Sequence, residues 1–222
     1  AAEINLENKD YEKSKQQYQR LEEIAEISSY KLQAMDGLMQ SYFALSQFDS
    51  AIICANKLLS LDKLDEAVRE RANYTLAKSL LANQNTGQAI EEFKRLTKAK
   101  NPEYAAEAQY TLAELNFMAG KIDEAEKIIH QINANPSSEY YLAKAFILWA
   151  DIFKSKGNTL QAKQTLQSII DNYEGDEELI ETARQKLISL TMQQEKTQQE
   201  KQEKRQEQQE AVDEIIIVDE PR

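Results

Sequence analysis

Residues 106–136 read AEAQYTLAELNFMAGKIDEAEKIIHQINANP, and the spacing within this stretch decides the fold. Ala125, Ile129 and Ile132 stand at offsets 0, +4 and +7, which puts one small and two large apolar side chains on a single helix face. Thirteen residues before Ala125 comes the pair Leu112-Ala113, large then small, on what reads as a preceding helix. Gly120-Lys121 lies between the two, and glycine there can take positive φ and end the first helix at no steric cost.

The same pattern recurs on both sides. Ala51 is followed by Ala55 and Leu58, Ala89 by Phe93 and Leu96, and Ala162 by Leu166 and Ile169. Ser14 with Tyr18 and Leu21 forms a leading half copy. The small residues are 37, 38, 36 and 37 positions apart. Leu38, Leu76 and Trp149 repeat the role of Leu112, and Met39, Ala77 and Ala150 that of Ala113. Ser46-Gln47, Gln84-Asn85 and Gly157-Asn158 are the matching polar turns, and Pro102 and Pro136 fall between repeats, where a helix has to stop. A lone helical hairpin cannot bury both of its apolar faces, so the period predicts a stack of hairpins sharing a continuous core. Leu112, Trp149, Ala125 and Ala162 are expected inside it.

The pattern resembles the tetratricopeptide repeat (TPR) family, and the resemblance covers residues 10 to about 190. Asn116 and Ala55 depart from it, standing where a large apolar and an aromatic residue are usual. The resemblance implies an all-α, right-handed solenoid of helical hairpins. The long period and the motif at 104–110, YAAEAQY, look like the TPR proteins of bacterial cell envelopes, which implies a periplasmic or outer-membrane-associated setting, with the cytoplasm as the alternative.

Composition agrees with the fold class. With 5 Gly and 3 Pro in 222 residues, a turn-rich all-β fold is excluded. One cysteine, Cys54, excludes an intramolecular disulfide framework, and one histidine, His130, excludes a His-cluster metal site. Cys54 reads as a small packed hydrophobe. The net charge of −11 disfavours nucleic acid as a partner. No run is apolar for long enough to span a membrane. No phosphate loop, nucleophile elbow or metal-helix motif is present, so the reading is non-enzymatic, with no cofactor and no metal.

Residues 1–192 read as the repeat domain. Residues 1–8 look like the tail of a first helix and residues 11–27 like its partner, so a fragment of a longer array is expected, with Tyr18, Leu21 and Ile24 uncovered and self-association through that end. Gly175 breaks the chain and Asp176 can cap a final helix whose face of Leu179, Ile180, Ala183, Leu187 and Ile188 closes the stack. Residues 193–222 form a polar tail. Its first 18 residues hold eight Gln and five Glu and no apolar side chain, which suits a solvated helix or a disordered spacer. It ends in Ile215, Ile216, Ile217 and Val218 between acidic pairs. That segment is either a solubilised tail or a strand that adds to a partner's sheet edge.

The resemblance implies that the first helix of each hairpin lines a concave surface on which a partner protein or peptide binds. Carried over by position, its stripes are Gln33, Asp36, Gln40 and Phe43; Arg71, Tyr74, Lys78 and Leu81; Glu107, Tyr110, Glu114 and Phe117; and Lys144, Ile147, Asp151 and Lys154. The Lys and Asn clamp of chaperone-tail-binding members is absent, because Asp36, Tyr74, Tyr110 and Ile147, and Gln40, Lys78, Glu114 and Asp151, hold those positions. The candidate binding residues are Arg71, Tyr74, Lys78, Glu107, Tyr110, Glu114, Phe117, Lys144 and Asp151. Two accounts remain for the central ones. Arg71, Tyr74 and Lys78 with Glu107, Tyr110 and Glu114 either grip a partner segment or satisfy one another between repeats.

Overall fold

The computed structural model describes the backbone of residues 1–218 and the side chains of residues 1–208. Among the described residues there are eleven helices and no strand: α1 (Ala2–Glu7), α2 (Tyr11–Ile24), α3 (Ser28–Ala44), α4 (Phe48–Leu59), α5 (Glu66–Ala82), α6 (Thr86–Leu96), α7 (Pro102–Met118), α8 (Ile122–Ala134), α9 (Glu139–Ser155), α10 (Thr159–Asn172) and α11 (Glu177–Val218). They fall into two compact units, Ala1–Leu142 and Ala143–Arg222. The hairpins of the sequence pattern are the pairs α1–α2, α3–α4, α5–α6, α7–α8 and α9–α10.

The small residues sit where the helices of each hairpin meet. Ser14, Ala51, Ala89, Ala125 and Ala162 are all 0% exposed. Their larger companions, Leu58, Phe93, Leu96, Ile129, Ile132, Leu166 and Ile169, are buried with them. Ser14 keeps its hydroxyl satisfied by donating to the Ala2 carbonyl at 3.2 Å, so a polar side chain is tolerated at a position alanine holds elsewhere. In the first unit a continuous core runs from Tyr18 through Leu38, Leu58, Leu76 and Phe93 to Leu112. In the second, Ala143, Ile147, Ala162, Leu166, Ile169, Ala183 and Leu190 form the core.

Each hairpin turn is the same closure written in different residues. The N–H of Asp10, Gln47, Asn85, Lys121 and Asn158 donates to the carbonyl five residues back, at 2.8 to 2.9 Å, and the N–H of the residue before each donates three back. These are the two bonds of a Schellman motif, which needs a left-handed residue just past the helix. That residue is Lys9, Ser46, Gln84, Gly120 and Gly157, with φ of 62°, 58°, 61°, 73° and 76°. Glycine is expected there, and two of the five have it. The others bear the steric cost of a Cβ in that region, about 1–2 kcal/mol.

Between hairpins the helices are started by side chains. Asp65 accepts from the N–H groups of Ala67 and Val68, and Asn101 from those of Glu103 and Tyr104. Pro102 is therefore not a helix stop but the first residue of α7, where its missing N–H is harmless. Asp176 caps α11 as expected, accepting from the Leu179 N–H at 2.8 Å.

Three expectations are corrected. Tyr18 is not uncovered: it is 4% exposed, with its ring against Gly37 so closely that a Cβ there would overlap it. Ile24 is 71% exposed as expected, and Leu21 is half-buried. Trp149 is half-buried, because it lies along α9 stacked on Phe153, 5.4 Å between centroids, and tilted on Phe146. On α11, Ile188 faces out and Leu190 takes the core position. The helix then runs on without a break through the polar stretch to Val218. Asp219 to Arg222 lie outside the described residues.

The turn geometry generates a prediction. Apart from its own chain neighbours, no heavy atom lies within 4 Å of where a Gly120 Cβ would stand, so a substitution there meets only backbone strain. Gly120→Ala should lower stability by about 1 kcal/mol, while Ser46→Gly and Gln84→Gly should each raise it by about 0.5–1 kcal/mol. Denaturant titration of the three variants checks this; a stabilised Gly120→Ala would mean the turn tolerates a Cβ freely.

Candidate partner-binding face

Within the first unit, α3, α5 and α7 present their predicted stripes side by side, and the structure decides which side chains meet. At the α3–α5 joint, Arg71 makes a two-pronged bond to Asp36: Nε donates to Oδ1 at 3.0 Å and Nη2 to Oδ2 at 2.6 Å. Both side chains are partly screened from solvent. The hydrogen bond to Asp36 raises the Arg71 pKa, so the guanidinium stays charged at any working pH.

At the α5–α7 joint the equivalent positions carry different chemistry. Tyr74 stands where Asp36 stood and Glu107 where Arg71 stood. The Tyr74 hydroxyl donates to Glu107 Oε2 at 2.7 Å, and Lys78 forms a close ion pair with Oε1. Tyr141, in the first turns of α9 and still part of this unit, donates to the same carboxylate. Glu107 thus gathers three donors while its side chain is 14% exposed. Burial pushes its carboxyl up, but the bonds from Lys78, Tyr74 and Tyr141 more than reverse this and hold it below the ordinary carboxylate range. Burial and the charge of Glu107 together push the Tyr74 and Tyr141 hydroxyls up, so both stay protonated as donors.

Aromatic contacts surround this hub. Tyr74 stacks on Tyr104 at 4.4 Å between centroids, and the Lys78 ammonium lies 5.7 Å from the centre of the Tyr74 ring. Tyr110 is 8% exposed; its hydroxyl donates to Glu114 one turn along α7 at 2.7 Å, and its ring is 6.0 Å from that of Tyr141. Phe117 is half-buried.

In the second unit, Asp151 accepts twice from Lys186 on α11, at 2.8 and 2.9 Å. Lys144 is half-buried, while Lys154, named in the stripe, is exposed. The side chains of Ile215, Ile216, Ile217 and Val218 lie outside the described residues.

Of the ion pairs the sequence offered between repeats, Lys78 with Glu107 is present and the others are not. Arg71 reaches back to Asp36 rather than forward to Glu107, and Glu114 is held by its own helix. Tyr104 and Tyr141 were missed, although each sits three residues before a stripe residue, Glu107 and Lys144. Extending the stripe by one helical step would have found both.

Cys54 is 8% exposed, and burial pushes its thiol up, so it packs rather than reacts. Among the described residues, no group of His, Cys, Asp and Glu is arranged to hold a metal ion, and no helix is long and apolar enough to cross a membrane.

Tetratricopeptide-repeat family models match the sequence over residues 80–147 and 139–175. Residues 80–175 carry tetratricopeptide repeats. Among solved structures, the crystal structure of MamA aligns with a TM-score of 0.61 at 16% identity, covering 77% of this chain and 93% of that one. The crystal structure of BtubC (BKLC) from P. vanneervenii aligns with a TM-score of 0.60 at 13% identity, covering 100% and 94%. At these identities the likeness is one of fold alone, and it spans more of the chain than the matched repeats do. No curated protein matches the sequence.

The hub at Glu107 yields a test. Glu107→Ala strips three donors of their acceptor and should cost about 2–3 kcal/mol. Because its folded pKa is depressed, Glu107 stabilises the chain above the ordinary carboxylate range and loses that contribution as pH falls through the folded value. The advantage of the unchanged chain over Glu107→Gln should be full at pH 7 and shrink below about pH 4. Denaturation at a series of pH values reads it; an advantage that persists or grows on acidification contradicts the assignment.

Proposed function

We propose that the chain is a non-enzymatic protein-interaction module, and that a segment of a partner protein lies across the α3–α5–α7 face of the first unit. The TPR repeats support the general reading, since stacked helical hairpins bury a core on one side and leave repeated surfaces for recognition. The observation that carries the finer one is the joint network. Asp36–Arg71 and the Glu107 hub fix the face before any partner arrives, so little side-chain entropy is lost on binding. Because the central charges are already paired, contact falls to the side chains around them: Gln33, Gln40, Phe43, Leu81 and Phe117. Amides and partly exposed apolar groups of this kind suit a polypeptide with mixed apolar and hydrogen-bonding character. The period and the motif at 104–110 make a bacterial cell-envelope setting part of this proposal.

A photo-crosslinking side chain at Gln33, on the face, and another at Lys94, on the outer side of α6, separate the readings without disturbing the network. In cells, position 33 should give a discrete protein adduct that position 94 does not. No adduct from 33, or equal adducts from both positions, would count against binding on this face.

A further inference from the structure

A cleft of about 640 Å³ opens in the first unit, between the first turns of α3 and the link from α4 to α5. Lys31, Leu32 and Met35 line it from one side of α3, whereas the stripe of Gln33, Asp36 and Gln40 lies on another side of that helix. Leu32 and Met35 are half-buried and packed against the core, so the wall they make is fixed. Leu61 completes the wall from the link and is 38% exposed. Ile27 and Tyr30, on either side of the lining residues Ser28 and Ser29, are 58% and 51% exposed, so this stretch leaves further apolar surface in water.

The charge around the wall runs against that of the molecule. Lys31 and Lys63 are exposed lining residues, and Asp62 is the one acid among them, so the cleft is locally positive in a chain of net charge −11. Neither lysine makes an ion pair among the described residues, whereas Lys13, Lys15, Lys78, Lys94, Lys100 and Lys186 all do. An apolar wall between uncommitted cations is complementary to an apolar group flanked by acids. The depth of the cleft decides what carries that group. Six of its eight lining residues are exposed, so it is shallow, and a small ligand, which binds by burying most of its surface, would stay largely in solvent. A polypeptide needs to bury only an anchoring side chain there while its neighbours meet the rim. An anionic membrane gains only about 1 kcal/mol from each lysine, and the net charge of the chain opposes its approach.

We propose that this cleft is a second docking site, and that it takes a short linear segment of a partner protein in which a bulky apolar side chain stands beside acidic residues. The apolar side chain covers Leu32, Met35 and Leu61, and the acids meet Lys31 and Lys63. Because the wall is already packed on the core, the site is formed before the segment arrives and little is lost in ordering it. The site is separate from the α3–α5–α7 face, and the two proposals stand or fall separately.

The test selects a random dodecapeptide library, displayed on phage, against the full chain. The selected peptides should carry a bulky apolar residue beside Asp or Glu, a composition read without any variant. Synthesised with a fluorophore, they should bind the full chain saturably and more weakly as salt is raised. Lys31→Glu/Lys63→Glu and Leu61→Ser alter exposed positions and should leave helicity and melting unchanged, yet each should weaken binding by about tenfold or more. Selected peptides without acids, or peptides indifferent to these substitutions, overturn the proposal, as does a selection that enriches none. Two other occupants would also overturn it. A second copy in the cleft would show as a sedimenting mass that rises with concentration and returns to the monomer in Lys31→Glu/Lys63→Glu. A lipid surface would show as binding to vesicles of phosphatidylcholine and phosphatidylglycerol that the same variant loses.

Discussion

Everything in this chain depends on how closely the two helices of a hairpin approach. Packed helices stand about 8–10 Å apart, and the side chains at the crossing set where in that range they fall. At Ser14, Ala51, Ala89, Ala125 and Ala162 the crossing residue is small and fully enclosed. That proximity lets the larger residues four and seven positions on reach across and fill the core. It also fixes the geometry of the turn, because two helices this close leave room for only a tight connection. The recurrent Schellman closure is that connection, and it is kept even where no glycine is available.

The joints between hairpins are a second layer of constraint, built from the first-helix faces. An exposed ion pair contributes little, at most about 1 kcal/mol. The pairs here are partly buried and cooperative, the Asp36–Arg71 bond two-pronged and the Glu107 carboxylate shared by three donors. Equivalent positions carry an acid and a base at one joint, a phenol and a carboxylate at the next. The requirement is thus a donor facing an acceptor, not a particular residue type. A face held this way is ordered in advance.

The layer made of apolar periodicity was legible from sequence, because burial enforces offsets of 0, +4 and +7 in every copy. The turns were legible as polar breaks, but their left-handed residue was legible only as glycine at Gly120 and Gly157 and silent at Lys9, Ser46 and Gln84. There the two backbone bonds of the closure outweigh the strain of a Cβ, and no residue preference records it. The partner of Arg71 was not legible, since it lies on a face within reach of both Asp36 and Glu107 and only packing chooses. Trp149 misled for a related reason: large aromatics can satisfy themselves along their own helix, as this one does on Phe146 and Phe153. The polar stretch after Met192 could be a helix or a spacer on composition alone. Gln, Glu, Lys and Arg are all good helix formers, and with no Gly or Pro to interrupt them α11 continues without a core to pack on.

The central claim is that a small side chain at the hairpin crossing sets the whole stack, and adjacent positions on α6 test it most directly. Ala89 is fully enclosed at the crossing, and Gln88 beside it is exposed. Melting of Ala89→Leu and Gln88→Leu should differ sharply. The first should lose about 1–3 kcal/mol to overpacking, and the second should melt within about 0.5 kcal/mol of the unchanged chain. Equal melting of the two would show that the crossing has slack, and that the close approach at Ala89 does not hold the repeats together.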